Sequence, residues 1–338
     1  MKESNRLRAV LWCFALALLI LDTKTAVQSA FSAVDMCIRV LIPSLFPFFV
    51  VSSMLTGSLQ GLDIPLLKPL GKLLRLPKGG ECLFLVGILG GYPVGAAAVA
   101  QQVRAGNLQK ADGKRLLAFC SNAGPSFIFG IGVQLFSDVR YCWIIWGIHI
   151  LSAILVGLLT PGQGQNLRYH AQQGSAIQGA LKQSLAVMAN VCAWVVLFRV
   201  LMGFLDRWVL WLLPDAIRIL ICGLLELANG SASLPMIGNE GLRLFLFSIM
   251  LSFGGCCVWM QTISAAEGAD SSLYFPGKLT QTAASMILAS GAQFFLPAHQ
   301  RFVLNPLALL ASFGICLIYA CYLRKNEKRS GNSLLVRV

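Results

Sequence analysis

The fold of this chain is decided by residues 87–95, which read GILGGYPVG. They lie in the middle of residues 82–103, a stretch without Asp, Glu, Lys or Arg that is long enough to cross about 30 Å of hydrocarbon as a helix. One proline and four glycines at its centre interrupt a helix where a plain membrane span would continue. The stretch therefore predicts two short helices joined by a turn.

Basic residues on both sides of this stretch indicate how it enters the membrane. Lys and Arg are concentrated in four regions, at residues 1–8, 58–81, 104–115 and 324–338. The positive-inside rule places all four on the cytoplasmic side. Because residues 82–103 lie between two of these regions, the stretch has to enter and return on the same side. We expect a re-entrant hairpin with its tip at 90–95, and the alternative is a kinked full span with one basic loop outside.

The composition of the whole chain agrees with a membrane protein. Of its 338 residues 57% are hydrophobic and only 12% are charged, about half the share in a soluble domain. The mean hydropathy is +0.72. The high hydrophobic share and the low charged share exclude most soluble folds and disordered chains. The net charge of +13 is explained by orientation in the membrane, so we expect no nucleic-acid partner.

Charge-free windows predict the membrane spans. They are residues 40–62, 82–103, 116–137, 141–167, 244–266, 279–300 and 302–323. Two more apolar stretches, 9–21 and 183–205, have a charge at or near an end. Strict alternation of polar and apolar residues is absent, which argues against a β-barrel. The N-terminal region could be read as a signal peptide, but we favour a first helix that is retained.

These windows predict an all-α, polytopic membrane bundle with about eight full spans, two re-entrant hairpins and both termini cytoplasmic. The second hairpin, in residues 208–239, would enter from the outside. Each hairpin precedes an interrupted span, at 120–125 (CSNAGP) and at 252–256 (SFGGC). Inverted repeats with paired broken helices are typical of secondary transporters.

The predicted organisation has five parts. They are an N-terminal span and amphipathic linker (1–39), a first gate-type half (40–160), a cytoplasmic loop (161–182), a second gate-type half (183–323) and a basic cytoplasmic tail (324–338).

Polar residues at the interruptions are the candidate binding groups. Glu226 lies among leucines, where a carboxylate is costly and usually marks a transport pathway or a proton relay. Asn229 follows it by three residues, and Ser121, Asn122 and Gln261 lie at or after the other breaks. Interrupted helices also expose N-terminal N–H groups, which suit carboxylates.

The sequence has no motif of a known enzyme class. It contains three scattered histidines and no HExxH, GxSxG or Gly-rich nucleotide loop. The eleven cysteines include no CxxC, so we expect free thiols and neither a metal site nor a cofactor. We therefore expect a protein that is not an enzyme and has no catalytic residues.

Five short motifs resemble one family. They are LIPSLFPF (41–48), GGYPVG (90–95), CSNAGP (120–125), LELANG (225–230) and SFGG (252–255). Together they resemble the YlbJ-type sporulation integral membrane proteins of the nucleoside-recognition, or gate-domain, group. That group is similar to concentrative nucleoside transporters. The resemblance covers roughly residues 40–265.

The resemblance implies a role in endospore formation, in moving dipicolinate, a small dianion, across the outer forespore membrane. It also implies that substrate lies between hairpin tips and broken helices. The substrate-binding residues expected on this basis are Gly91, Tyr92, Gly95, Ser121, Asn122, Gly124, Glu226, Asn229, Gly254, Gly255 and Gln261.

We therefore expect a secondary transporter of a small organic anion, coupled to a proton or Na⁺ if it is coupled at all. It would be an integral protein of the bacterial cell membrane or outer forespore membrane, surrounded by lipid, with a homo-oligomer as its expected assembly. The alternatives are a nucleoside or nucleobase carrier and a sporulation scaffold that transports nothing.

Overall fold

The computed structural model describes residues 2–59, 64–77, 79–162 and 177–335, and every regular element in these ranges is a helix. The prediction of an all-α fold is confirmed. In chain order the described α-helices are α1 (Lys2–Leu21), α2 (Thr23–Met36), α3 (Ile42–Leu59), α4 (Lys68–Leu73), α5 (Gly80–Gly90), α6 (Val94–Arg104), α7 (Lys110–Leu117), α8 (Pro125–Leu135), α9 (Arg140–Leu159), α10 (Ile177–Trp208), α11 (Asp215–Leu225), α12 (Leu227–Ala232), α13 (Glu240–Phe253), α14 (Gly255–Ala265), α15 (Tyr274–Ala292) and α16 (Pro306–Leu335).

Five helical segments in the described residues are long and apolar enough to cross a membrane. They are Thr23–Leu55, Arg140–Leu159, Ile177–Trp208, Glu240–Ala265 and Pro306–Lys325. They include or overlap five of the eight expected spans. The other three correspond to α1, to the short helices α7 and α8, and to α15, which buries polar side chains such as Thr280, Gln281 and Ser285. The total of eight stays a prediction.

The stretch around residues 87–95 forms a helical hairpin, called hairpin one below. Helices α5 and α6 have 11 residues each, so each is about 16 Å long, roughly half the thickness of a bilayer core. The chain reverses at residues 91–93, and Gly87 and Gly95 pack against each other and against the backbone carbonyl of Cys120. Residues eight apart on one kinked helix would not touch, so the geometry is that of a hairpin.

A second helical reversal, called hairpin two, is formed by α11 and α12. Helix α11 ends at Leu225, and Glu226 has extended backbone angles before α12 begins. Gly223 and Gly230 pack backbone to backbone across the reversal. Both hairpins are thus held by a pair of glycines, one on each arm, because any side chain there would separate the arms.

Each hairpin is followed by an interrupted helix, as the sequence predicts. Residues 118–124 separate α7 from α8, and 121–124 among them have no regular structure. Gly254 separates α13 from α14 with a left-handed backbone (φ +85°), a conformation that glycine adopts readily. In each half, a long helix follows the interrupted one: α9 follows α8, and α15 follows α14.

Contacts between connections define two ends of the molecule. At one end, called the basic end below, Lys114 pairs with Asp270 at 3.0 Å and Arg115 donates to the Thr160 carbonyl at 3.0 Å. At the opposite end, the Ser137 amide donates to Glu240 at 2.8 Å. Helix α9, with its 20 residues, separates the two ends by about 30 Å.

The two hairpins begin at opposite ends. Hairpin one ends at Arg104, which contacts the Glu267 carbonyl at the basic end. Helix α10 lies antiparallel to α2 and α3, with a Ser53–Gln183 hydrogen bond of 3.1 Å at one end and an Arg207–Asp22 pair of 3.3 Å at the other. Hairpin two follows directly after the Arg207 end of α10. This is the arrangement expected for an inverted repeat, whose symmetry stays a prediction.

The expected divisions of the chain fall partly within helices. The boundary at residues 39 and 40 lies inside a continuous helical segment, since a π-helical turn (Cys37–Leu41) joins α2 to α3. Residues 177–182 of the expected loop belong to α10, whereas 163–176 lie outside the described residues.

Candidate functional site

Three backbone breaks and the helix that follows the fourth line one small cavity, called the central cavity below. Its lining comes from α3 (Leu41 at the π turn and Leu45), the hairpin-one tip (Gly91, Tyr92), the first break and α8 (Ala123, Gly124, Phe127), α10 (Val191, Val195), hairpin two (Glu226, Leu227, Ala228) and α14 (Val258, Gln261). The volume of this cavity is about 50 Å³. That is room for a few water molecules.

Glu226 is buried at the tip of hairpin two and caps helix α12. Its carboxylate accepts hydrogen bonds from the backbone amides of Ala228 (2.9 Å) and Asn229 (2.7 Å) and from the Asn229 side chain (2.6 Å). A carboxylate in this position stabilises the positive end of a helix. The same side chain also lines the central cavity.

Tyr92 connects the tip of hairpin one to the second broken helix. Its hydroxyl donates to the carbonyl of Leu251 at 3.1 Å, and its ring lies against Gly254. A side chain at Gly254 would meet the Tyr92 ring at about 3.3 Å, so the glycine gives the tip room to approach.

Behind Tyr92 lies Lys278, a lysine that is only 1% exposed. Its ammonium donates to the Tyr92 hydroxyl at 3.1 Å, to Gln281 Oε1 at 2.7 Å and to the backbone carbonyl of Ser121. It also lies 4.9 Å from the centre of the Tyr92 ring. Among the described residues no carboxylate is within ion-pair distance of it. Three acceptors match the three N–H groups of an ammonium ion, whose charge would be held by neutral oxygens and an aromatic face.

Hydrogen bonds extend from Lys278 to the first break. Gln281 Nε2 donates to Asn122 Oδ1 at 3.0 Å, and Asn122 Nδ2 donates to the Phe119 carbonyl at 2.7 Å. His149 Nε2 accepts the Ala123 amide at 2.9 Å. Backbone groups that an intact helix would satisfy are thus satisfied here by side chains from α9 and α15.

Three helices begin near the central cavity without a side-chain cap. Helices α6, α8 and α14 have 11 residues each, and no described side chain accepts a hydrogen bond from their first turns. The residues before α6 and α8 line the cavity, and α14 begins at Gly255 beside Leu227. Their N-terminal dipoles add to the Lys278 charge, so the surroundings favour an anion.

The structure brings the expected site residues together, in three different positions. Gly91, Tyr92, Gly124, Glu226 and Gln261 line the central cavity. Ser121, Asn122 and Asn229 are buried directly behind it, where they hold Lys278, Gln281 and Glu226. The remaining three glycines serve close backbone contacts. Gly95 packs on Cys120, Gly254 on Tyr92 and Gly255 on the Gly223 carbonyl. Their roles toward a substrate stay predictions.

Sequence reasoning missed Lys278, Gln281 and His149. Lys278 immediately precedes a charge-free window, so it reads as the end of a loop. The signal was present in the spacing, because Tyr274, Lys278 and Gln281 share one face of a helix. Among the described residues, no three His, Cys, Asp or Glu side chains lie together as metal ligands would, and the eleven cysteines are free.

The fold and the central cavity define an α-helical integral membrane protein with a polar site between broken helices. Comparison with curated proteins finds the sporulation integral membrane protein YlbJ of Bacillus subtilis (strain 168), which is 26% identical over 182 residues. The match agrees with the predicted resemblance of this chain to the YlbJ-type proteins. It covers 52% of the chain and 44% of YlbJ, so less than half of that relative is matched. No family model and no solved structure matches the chain.

Proposed function

We propose that the chain is a secondary transporter of a small organic anion that acts in sporulation, with dipicolinate as its substrate. The observation that carries the proposal is the set of charges around the central cavity. Among the described lining and neighbouring residues, the buried amine of Lys278 and three helix N-termini without a side-chain cap outnumber one carboxylate, that of Glu226. A dianion is better suited to balance this set than a neutral nucleoside.

Substrate entry requires the tips of the hairpins to move. Small-ligand pockets usually have a volume of about 300–1,000 Å³, whereas the volume of the central cavity is about 50 Å³. The hairpin-one tip closes it through Tyr92, whose hydrogen bond to Leu251 crosses to the other broken helix. Displacing this tip would enlarge the cavity and open it to one side, which is the step that alternating access requires.

Glu226 is the proposed coupling residue. Its carboxylate occupies the amides of Ala228 and Asn229, which are the groups that a substrate carboxylate would otherwise bind. Protonation of Glu226 would weaken these hydrogen bonds and free the amides for the substrate. A proton, or a Na⁺ that draws the carboxylate away, would thereby promote anion binding.

The rest of the proposal follows from the distribution of charge and the likeness to YlbJ. We place the protein in the bacterial cell membrane or the outer forespore membrane, with its basic end and both termini cytoplasmic. We propose a transporter rather than an enzyme, and a homo-oligomer as its assembly.

The test is uptake of labelled dipicolinate into proteoliposomes that hold the purified chain, under a proton or a Na⁺ gradient, with and without excess uridine. We expect saturable uptake that uridine does not inhibit. Glu226→Gln should abolish the dependence of uptake on the gradient, because an amide is not protonated near neutral pH. The variant should still exchange labelled dipicolinate outside the vesicle for unlabelled dipicolinate inside. The matched control is Glu240→Gln. Glu240 is also a buried carboxylate, but it lies at the end of the molecule opposite to the basic end and does not line the central cavity.

Two results would contradict the proposal. Inhibition by uridine together with uridine uptake would favour the nucleoside carrier. No uptake from a folded sample under either gradient, with normal spore formation by a strain that carries Glu226→Gln, would favour the scaffold.

A further inference from the structure

A second cavity, separate from the central one, opens at the basic end. It is lined by Leu73, Leu74, Arg75, Arg115, Gly157, Leu158, Leu159, Thr160, Pro161, Ala320 and Arg324. The volume of this second cavity is about 260 Å³, about five times that of the central cavity. The cavity joins the end of α4 to α7, to the last turn of α9 and to α16.

Three arginines supply the charge of this cavity. Its lining includes no Asp or Glu, and neither Arg75 nor Arg324 forms an ion pair with a described residue. Both of these side chains are exposed. They therefore leave two positive charges at the mouth of the cavity without a counter-ion among the described residues.

Arg115 forms the floor of this cavity and is only 4% exposed. Its guanidinium donates to the carbonyls of Thr160 (3.0 Å) and Arg75 (3.0 Å), and to that of Leu74. Neutral carbonyls orient this guanidinium but do not cancel its charge. Arg75, whose carbonyl is one of these acceptors, has a left-handed backbone conformation at φ +48°, which is uncommon for a residue with a side chain.

The rim of the cavity is apolar on the outer face of the bundle. Leu73 is 56% exposed and Leu158 is 46% exposed, and both lie beside the arginines. Such a combination suits a ligand with an anionic head and an apolar tail. Basic pockets between spanning helices on the cytoplasmic side commonly bind the headgroups of anionic lipids.

We infer that this cavity binds the phosphate headgroup of an anionic phospholipid from the surrounding membrane. Arg75 and Arg324 would contact the phosphate, Arg115 would supply a fixed charge beneath it, and an acyl chain would lie along Leu73 and Leu158. A soluble phosphate compound has the same anionic group, but it would leave the exposed leucines uncovered. The site does not depend on the proposed transport function.

The experiment measures lipid binding to the purified full-length chain by native mass spectrometry and by thermal unfolding in detergent. The probes are phosphatidylglycerol, phosphatidylcholine and inorganic phosphate. We expect phosphatidylglycerol to be retained and to raise the unfolding temperature, and the other two to have little effect. In the double variant Arg75→Gln, Arg324→Gln the apparent affinity for phosphatidylglycerol should fall about 30-fold, the loss expected for two charges near a membrane surface.

The matched control is Lys325→Gln, which removes one exposed charge next to Arg324 on the same helix but outside the lining. It should bind phosphatidylglycerol within about twofold of the unchanged chain. A loss of about fivefold in the control, half of the double variant's loss on a free-energy scale, would overturn the site, since binding would then follow net charge alone. Protection by inorganic phosphate equal to that by phosphatidylglycerol would overturn the assignment to a lipid.

Discussion

Lys278 is the residue that most changes the picture of the site. An ammonium without a carboxylate partner is costly to bury, and proteins that contain one usually use it. Its three oxygen partners come from hairpin one (Tyr92), from the first break (Ser121) and from α15 (Gln281). Lys278 therefore connects the tip of hairpin one to the rest of the site, and an anion in the central cavity would interact with its charge across Tyr92.

Replacing Lys278 by Gln should reduce dipicolinate uptake at least tenfold. The amide keeps a hydrogen-bond donor for the Ser121 carbonyl but removes the charge that attracts the anion. Loss of hydrogen bonds and relief of the buried charge act in opposite directions, so we expect the free energy of unfolding to change by less than about 2 kcal/mol. Uptake into proteoliposomes and thermal unfolding of the same sample measure both quantities.

The conservative variant Lys278→Arg keeps the charge and should retain more uptake than Lys278→Gln. A Lys278→Gln protein that is folded and transports dipicolinate at the normal rate would show that the buried charge has only a structural role.

Single residues could be predicted from the sequence only where they were unusual for their surroundings. Glu226 stood out among leucines, and Gly91 and Gly124 stood out as helix breakers, and all three line the central cavity. Lys278 did not stand out, because a lysine at the start of an apolar segment is ordinary. Its burial comes from the packing of α15 against the first break, which no local pattern records.

At the scale of the elements, the hairpins depend on glycines that allow backbones to touch. A Cβ atom at Gly87 would collide with the carbonyl oxygen of Cys120, which is backbone and cannot swing aside. The same carbonyl limits Gly95, so α5, α6 and the first break are packed as one unit. This packing fixes the height of the Gly91–Tyr92 tip beside the central cavity.

Gly87→Ala should therefore lower the stability of the folded protein. Overpacking of this kind costs about 1–3 kcal/mol or more, and we expect a clear fall in unfolding temperature in detergent and a lower yield in the membrane. Gly147→Ala is the matched control, because Gly147 is also inside a helix and has no atom within 4 Å of the added Cβ. The control should be neutral or stabilising, by about 0.5–1 kcal/mol. Equal unfolding temperatures for the two variants would contradict the packing account.

Elements were predictable where the signal was local. Proline and glycine placed the turn of hairpin one and both breaks within a few residues, since they limit the backbone directly. The continuous helix from α2 into α3 was not expected. The predicted division placed a boundary after residue 39, but the side chains of Asp35 and Arg39 pair with each other at 2.5 Å on one helical face of this continuous segment.

At the scale of the whole molecule, two hairpins from opposite ends close one cavity. Helix α6 of hairpin one packs against α14, and two further contacts connect the hairpin to α13 and to the segment that follows α14. Tyr92 bonds to Leu251 at the tip, and Arg104 contacts the Glu267 carbonyl at the basic end. If the central cavity opens by movement of hairpin one, both contacts have to break or shift. A link that fixes the second contact should keep the cavity closed even though it lies far from the substrate.

A cysteine pair at Arg104 and Glu267, joined by a short bifunctional thiol reagent, should therefore stop dipicolinate uptake almost completely. The background chain would have its exposed cysteines, Cys13 and Cys321, replaced by serine. Cleavage of the reagent should restore uptake, because the contact joins elements that are already neighbours and the link does not distort them. Uptake before linking, after linking and after cleavage is measured on one preparation.

The matched control joins Asp22 to Arg207, which connects the α1–α2 junction to α10 and leaves hairpin one free. That link should leave uptake within about twofold, since neither partner touches the hairpin. If both links stopped uptake, movement of the outer helices would be required as well. If the Arg104–Glu267 link had no effect, hairpin one and α14 would have to move as one body, and the opening would lie between that body and α10, whose Val191 and Val195 form the facing wall of the central cavity.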